Sequence, residues 1–126
     1  MTMSENITVV RIRDILMVTM PPDPDDATIR GLQEKALDSM EQHSARVLVL
    51  DITAVDTVDS YFARTISETA QMVSLMGGRT VVAGMQPAVA IAATQLGLAF
   101  RRVEMALSVD KALDLVSTPS DRGRRR

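Results

Sequence analysis

Ser60 is the side chain best placed for chemistry. It follows Val58-Asp59 and opens an amphipathic run, a short loop after the apolar stretch Leu48-Val49-Leu50 that stops at Asp51. The pattern predicts a helix beginning at Asp59-Ser60. A hydroxyl at a helix N-terminus faces outward-pointing N–H groups and the positive end of the helix dipole, so a phosphate added there would be partly stabilised by the helix itself. The plainer role is a cap: Asp59 or Ser60 closing the first turn is worth ~1 kcal/mol. Tyr61 stands beside an inward Phe62 and should lean outward. It is either a contact residue or a partly buried ring with its hydroxyl at the surface. Arg64, one turn on, can pair with a phosphate or a partner carboxylate, or is simply solvated. The constellation suits a protein that is modified, not one that performs the modification.

Other chemistries lack their parts. The chain has no cysteine, which removes disulfides, thiolate catalysis and Cys-based metal sites. His43 is the only histidine, so neither a His-rich metal site nor a Ser-His-Asp arrangement can be built. No phosphate-binding G-x-x-x-x-G-K-[ST] occurs, and the only lysines are Lys35 and Lys111. Asp51 ends a strand as a phosphoacceptor aspartate would, but the acids Asp25-Asp26 follow the second strand, and no lysine follows Thr80 to Ala83. No catalytic residue, cofactor or metal site is therefore expected.

The elements that must position Ser60 follow from periodicity. Ile7–Ile12 and Ile15–Met20 read as a two-strand hairpin turning at Arg13-Asp14. Pro21-Pro22-Asp23-Pro24 turns the chain. Asp25-Asp26 start a helix to about residue 43, with Ile29, Leu32, Ala36, Leu37 and Met40 inward. Asp23, Asp25 and Asp26 either cap that helix or face a partner. Arg46–Leu50 and Thr80–Ala83 read as strands buried on both faces. Between them a helix runs from Ser60 to about Met76, with Phe62, Ile66, Ala70, Val73 and Met76/Gly77 inward, and Gly77-Gly78 ends it. Pro87 opens a third helix with Ala88, Ile91, Ala92 and Leu96 inward. Val103–Met105 is a short edge strand, and Ser108 caps a last helix. Met72, Met76 and Met85 read as core filler. The order β-β-α-β-α-β-α-(β)-α predicts an α/β fold: a mixed sheet opened by a hairpin, with about four helices.

The 126 residues suit one domain, residues 1–118, followed by a basic, disordered tail over 119–126. Hydrophobic residues make up 46% but aromatics only 2%, so the core is aliphatic and offers no platform for stacking bases. The net charge of −2 hides an asymmetry: without Arg122, Arg124, Arg125 and Arg126, ten basic residues face sixteen acidic ones, or −6. No apolar run reaches the ~18 residues of a membrane helix, and Met1–Asn6 lacks a signal pattern. A cytoplasmic location is expected, without membrane or nucleic-acid partners.

Three stretches carry a family resemblance: Val58-Asp59-Ser60-Tyr61-Phe62-Ala63-Arg64, Ala83-Gly84-Met85-Gln86-Pro87-Ala88-Val89-Ala90-Ile91 and Leu96-Gly97-Leu98. With the topology and the strand-end aspartate of Val-Leu-Val-Leu-Asp-Ile-Thr, they resemble STAS domains, the fold of bacterial anti-sigma-factor antagonists, over about residues 6 to 117. Within that family the resemblance points to stressosome S-type scaffolds, since Tyr61-Phe62 stand where ordinary antagonists follow the serine with a small residue and glycine. It implies a non-enzymatic scaffold in stress signalling that co-assembles with R-type co-antagonist paralogues, self-associates, and sequesters a T-type serine/threonine switch kinase. It further implies release of that kinase on phosphorylation of Ser60, with Asp56, Asp59, Tyr61 and Arg64 as the switch surface and a sigma-factor or other output downstream. The alternatives are a free single-domain antagonist binding an anti-sigma kinase and, from another class, a receiver-like or nucleotide-binding enzyme.

Overall fold

A computed structural model describes residues 7–95, 97 and 100–125, with side chains through 117. The order is β1 (Thr8–Ile12), β2 (Ile15–Thr19), α1 (Asp26–His43), β3 (Val47–Asp51), α2 (Ser60–Leu75), β4 (Arg79–Ala83), α3 (Pro87–Gln95), β5 (Glu104–Ala106) and α4 (Val109–Arg125). The five strands form one sheet in the order β1-β2-β3-β4-β5. Only β1 and β2 pair antiparallel; the other neighbours are parallel. The α/β hairpin-led fold expected from the sequence is the one observed.

Alternation along the strands sorts the core into two layers. Leu16, Val18, Leu48, Leu50 and Val82 pack with Ile29, Leu32, Met40, Phe62, Ile66 and Val73 of α1 and α2. Ile15, Val47, Val49, Val81 and Ala83 face α4 through Ala112, with Val109, Leu113 and Val116 packed against them. Covered on both faces, β3 and β4 carry the continuous apolar runs Val47-Leu48-Val49-Leu50 and Val81-Val82-Ala83 for this reason. At the far edge the Arg79 guanidinium donates to both Glu104 carboxylate oxygens, at 2.9 and 2.8 Å, clipping β5 to β4.

Helix ends follow the local chemistry. Asp25 caps α1 by accepting from the Thr28 N–H at 2.8 Å. Gly77 takes φ +90°. The Gly78 N–H then reaches the Val73 carbonyl at 2.9 Å and the Gly77 N–H that of Ser74 at 3.0 Å, closing α2 with a left-handed residue that a Cβ would disfavour.

Several sequence expectations need correction. The inward face of α3 is Val89 and Ala93, while Ala88 and Ile91 are exposed and Ala92 is half-buried. The run Ala-Val-Ala-Ile-Ala-Ala is apolar all round, so its periodicity selects no face. Leu96 lies outside the described residues, as do Leu98 and Met1–Asn6. Met72 and Met76 are exposed near the end of α2, and of the three methionines read as core only Met85 packs against it. Helix α4 runs over Val109–Arg125.

Candidate functional site: the start of helix α2

Strand β3 delivers the chain to the site. At its end the Asp51 carboxylate accepts from the Thr53 N–H at 3.0 Å and the Thr53 hydroxyl at 2.6 Å, folding the loop back on the strand. Asp51 is thus a loop organiser here. The next residues are tied on both sides. The Asp56 N–H donates to the Pro22 carbonyl at 3.1 Å, and the Thr57 hydroxyl to Asp23 at 3.1 Å, joining the loop to the segment before α1. On the other side Gln86 Nε2 donates to the Thr53 carbonyl at 2.7 Å, and the Ile52 N–H to the Ala83 carbonyl at 3.0 Å. Gly84 (φ +82°) lies so close that a Cβ would overlap the Thr53 hydroxyl. Val55 and Phe62, both buried, anchor the loop below and the helix beyond.

Asp59 settles the capping question. Its backbone is extended (φ −125°, ψ 179°), and its carboxylate accepts from the Phe62 N–H at 2.8 Å. Asp59 is therefore the N-cap and Ser60 the first helical residue. The cap does not engage the Ser60 hydroxyl, which sits on an exposed residue.

The first turn of α2 brings the other expected residues together. Tyr61 is half-buried and packs against the α1/α2 core layer, where the sequence suggested it would lean outward. With Phe62 wholly buried next to it, the ring takes the partly buried role. Arg64 is exposed and holds its guanidinium 5.8 Å from the Tyr61 ring centroid, in cation–π range. Asp56 and Asp59 are exposed in the four residues that precede Ser60, and Asp23 is bonded to Thr57 between them. Asp23, Thr57, Val58, Asp59 and Phe62 line a shallow cleft between the starts of α1 and α2. Asp25 and Asp26 begin α1, with the Thr28 side chain and N–H holding the Asp25 carboxyl below its ordinary value. The site thus combines exposed carboxylates at Asp23, Asp56 and Asp59, in the segments that lead into α1 and α2, with one unengaged hydroxyl at the start of α2 and one arginine laid on a tyrosine. Among the described residues no three His, Asp or Glu side chains converge to hold a metal ion, and no helix is long and apolar enough to cross a membrane.

Spacing could not reveal the cross-links that hold this loop, Asp23 to Thr57 and Gln86 to Thr53, which join residues 34 and 33 positions apart. The one available signal was Gly84-Met85-Gln86-Pro87, a glycine and an amide directly before a helix-opening proline.

Comparisons with known proteins agree with this geometry. The family model described as the STAS domain matches residues 6–112. The RsbT co-antagonist protein RsbRA of Bacillus subtilis is 26% identical over 118 residues, covering 94% of this chain and 40% of its own length. The chain therefore spans well under half of this curated relative. Among solved structures, RsbS of Moorella thermoacetica, in a serine-to-glutamate form, is 28% identical with a TM-score of 0.78, covering 91% of this chain and 97% of that one. A chain from a structure described as the molecular architecture of the stressosome is 29% identical with a TM-score of 0.76, covering 90% and 98%.

Proposed function

The chain belongs to the STAS-domain family, and on that premise we propose that it is a non-enzymatic scaffold subunit of a stressosome-type complex, switched by phosphorylation of Ser60. In this reading the unmodified chain co-assembles in the cytoplasm with R-type co-antagonist paralogues and holds a serine/threonine switch kinase. That kinase phosphorylates Ser60 and is released to act downstream. The observation that carries the reading is the exposed Ser60 hydroxyl, left unengaged because Asp59 supplies the cap. Likeness along nearly the whole length of two stressosome-related structures supports the scaffold role.

The physics of release is electrostatic. Phosphorylation adds about −1.5 to −2 charges beside Asp56 and Asp59, and a docked partner would have to desolvate that charge against like neighbours, which costs several kcal/mol. Asp56, Asp59, Tyr61 and Arg64 form the surface that the partner reads.

Affinity isolation of the tagged protein from its own cells, with mass spectrometry, tests the reading. Expected are an R-type paralogue, a small serine kinase and phosphate on Ser60 after stress. In a titration with that kinase, Ser60→Asp should bind at least about tenfold more weakly than wild type. Undiminished affinity would sink the switch. A megadalton assembly separates the scaffold from a free antagonist, which would remain a monomer or dimer.

A further inference from the structure

We propose that β1 is a self-pairing edge, on which a second copy of this chain adds its own β1 antiparallel, about a two-fold axis through Val10, to make one continuous sheet. The strand lies at the end of the sheet and is exposed along its whole length. It is regular, carries no proline or bulge and a single charge, Arg11, and shows Val9, Val10 and Ile12 at 38–41% exposure. Isolated edges are normally blunted by such features because their open hydrogen-bonding groups recruit other strands.

The register follows from the hairpin. A two-residue turn at Arg13-Asp14 makes Ile12↔Ile15 a hydrogen-bonded pair. By alternation Val10↔Met17 and Thr8↔Thr19 are bonded too, so the main-chain groups of Val9 and Arg11 point to the open edge. A symmetric antiparallel partner must use those groups. Centring the axis on Val10 sets Val9 against the partner copy's Arg11, and Arg11 against its Val9, each pair exchanging both bonds. Centring it on Arg11 would oppose two like charges.

Side chains favour the same register. Val9 shares a groove with Lys35, Asp38, Ser39, Gln42 and His43 of α1. The second copy's Arg11, laid opposite Val9, arrives at that groove, where Asp38 is the carboxylate. Lys35 opposes it, so the contact selects register more than it adds affinity. On the other face Val10 meets the second copy's Val10 beside Met17, with Ile12 opposite that copy's Thr8 and diagonal to its Val10, extending the apolar strip that α4 leaves uncovered. The opposite edge is a poorer partner: β5 has three residues, and joining β1 to β5 would be head-to-tail and open-ended, whereas β1 to β1 closes.

This inference supplies a contact for the self-association that the family resemblance implies and stands apart from the kinase half of the proposed function, because the test uses the purified chain alone. Sedimentation equilibrium should show a concentration-dependent dimer. Amide exchange at Val9 and Arg11 should slow as protein concentration rises, while the Val10 and Ile12 amides, already bonded to β2, should not change. Val10→Lys should weaken the dimer at least about tenfold while its circular-dichroism melt, taken dilute enough that both chains are monomeric, matches wild type. Arg11→Asp and Asp38→Arg should each weaken it and together restore it. A chain that stays monomeric at ~1 mM, well above the Kd range of specific contacts, overturns the proposal. So does a Val10→Lys dimer of wild-type affinity, or pairing that appears only when an R-type paralogue is added.

Discussion

Replacing Ser60 and Asp59 by alanine, one at a time, separates the two roles a serine at a helix start can have. Asp59 accepts the Phe62 N–H at 2.8 Å, so Asp59→Ala removes an N-cap and should cost ~1 kcal/mol, within a range of about 0.5–2. For a domain of this size that is a melting shift of about 3–5 °C. Ser60 is the first helical residue, exposed, with a hydroxyl the cap does not use. Ser60→Ala should therefore leave stability unchanged or raise it by up to about 0.5 kcal/mol, since alanine is the better helix former. Asp59→Asn keeps an acceptor without the charge and should fall between wild type and Asp59→Ala. Urea unfolding at neutral pH resolves these differences if the slopes match, which keeps the comparison within two-state behaviour. A loss of 1 kcal/mol or more in Ser60→Ala, with Asp59→Ala near neutral, would show that Ser60 closes the helix. The hydroxyl would then not be available for modification without a penalty to the fold.

Two further outcomes test the frame around the site. Gly84→Ala should lose more than about 1 kcal/mol, from left-handed strain and from the overlap with Thr53, and should slow modification of Ser60 by displacing its loop; an unchanged urea midpoint would refute the contact. Acid unfolding tests Asp25. Thr28 holds its carboxyl below the ordinary value, so the stabilisation is complete above the unfolded-state pKa near ~3.9 and fades as pH falls through the lower folded value. The stability gap between wild type and Asp25→Asn should shrink over that window, and a gap independent of pH would contradict the assignment.

The parts of the fold that periodicity expresses were legible without a structure. Leu48-Val49-Leu50 and Val81-Val82-Ala83 are continuous apolar runs because helices cover both faces of those strands. The α2 stripe Phe62, Ile66, Ala70, Val73 shows its face at the helical repeat. Where composition is uniform, as in α3, the face was not encoded in the pattern, and Val89 and Ala93 turned inward instead of Ala88 and Ile91. At the candidate site, residue type and position placed Asp59 and Ser60 at a helix start with Arg64 one turn on, as the structure has them. What spacing could not show was which of Asp59 and Ser60 caps the helix, or that Tyr61 leans on the core. Both depend on the exact entry angle of the chain, set by bonds to Pro22, Asp23 and Gln86 from elements distant in sequence.

Those bonds bear on how a switch at this position can work. The loop before Ser60 is tied to the α1 start through Asp56 and Thr57 and to the β4–α3 turn through Thr53, and it is anchored below by Val55 and Phe62. A phosphate on the exposed hydroxyl breaks none of these contacts. The helix dipole favours it, while Asp56 and Asp59 oppose it from the loop, so the net push on the fold is small. The larger consequence is outside the chain, in the field a partner meets. A switch built this way changes its surface charge with its backbone in place. The expected signature is amide exchange in the 52–64 segment that differs little between wild type and Ser60→Asp, while kinase affinity falls. Widespread loss of protection in Ser60→Asp would mean that the frame itself yields, and that release works by unfolding the loop instead of by charge.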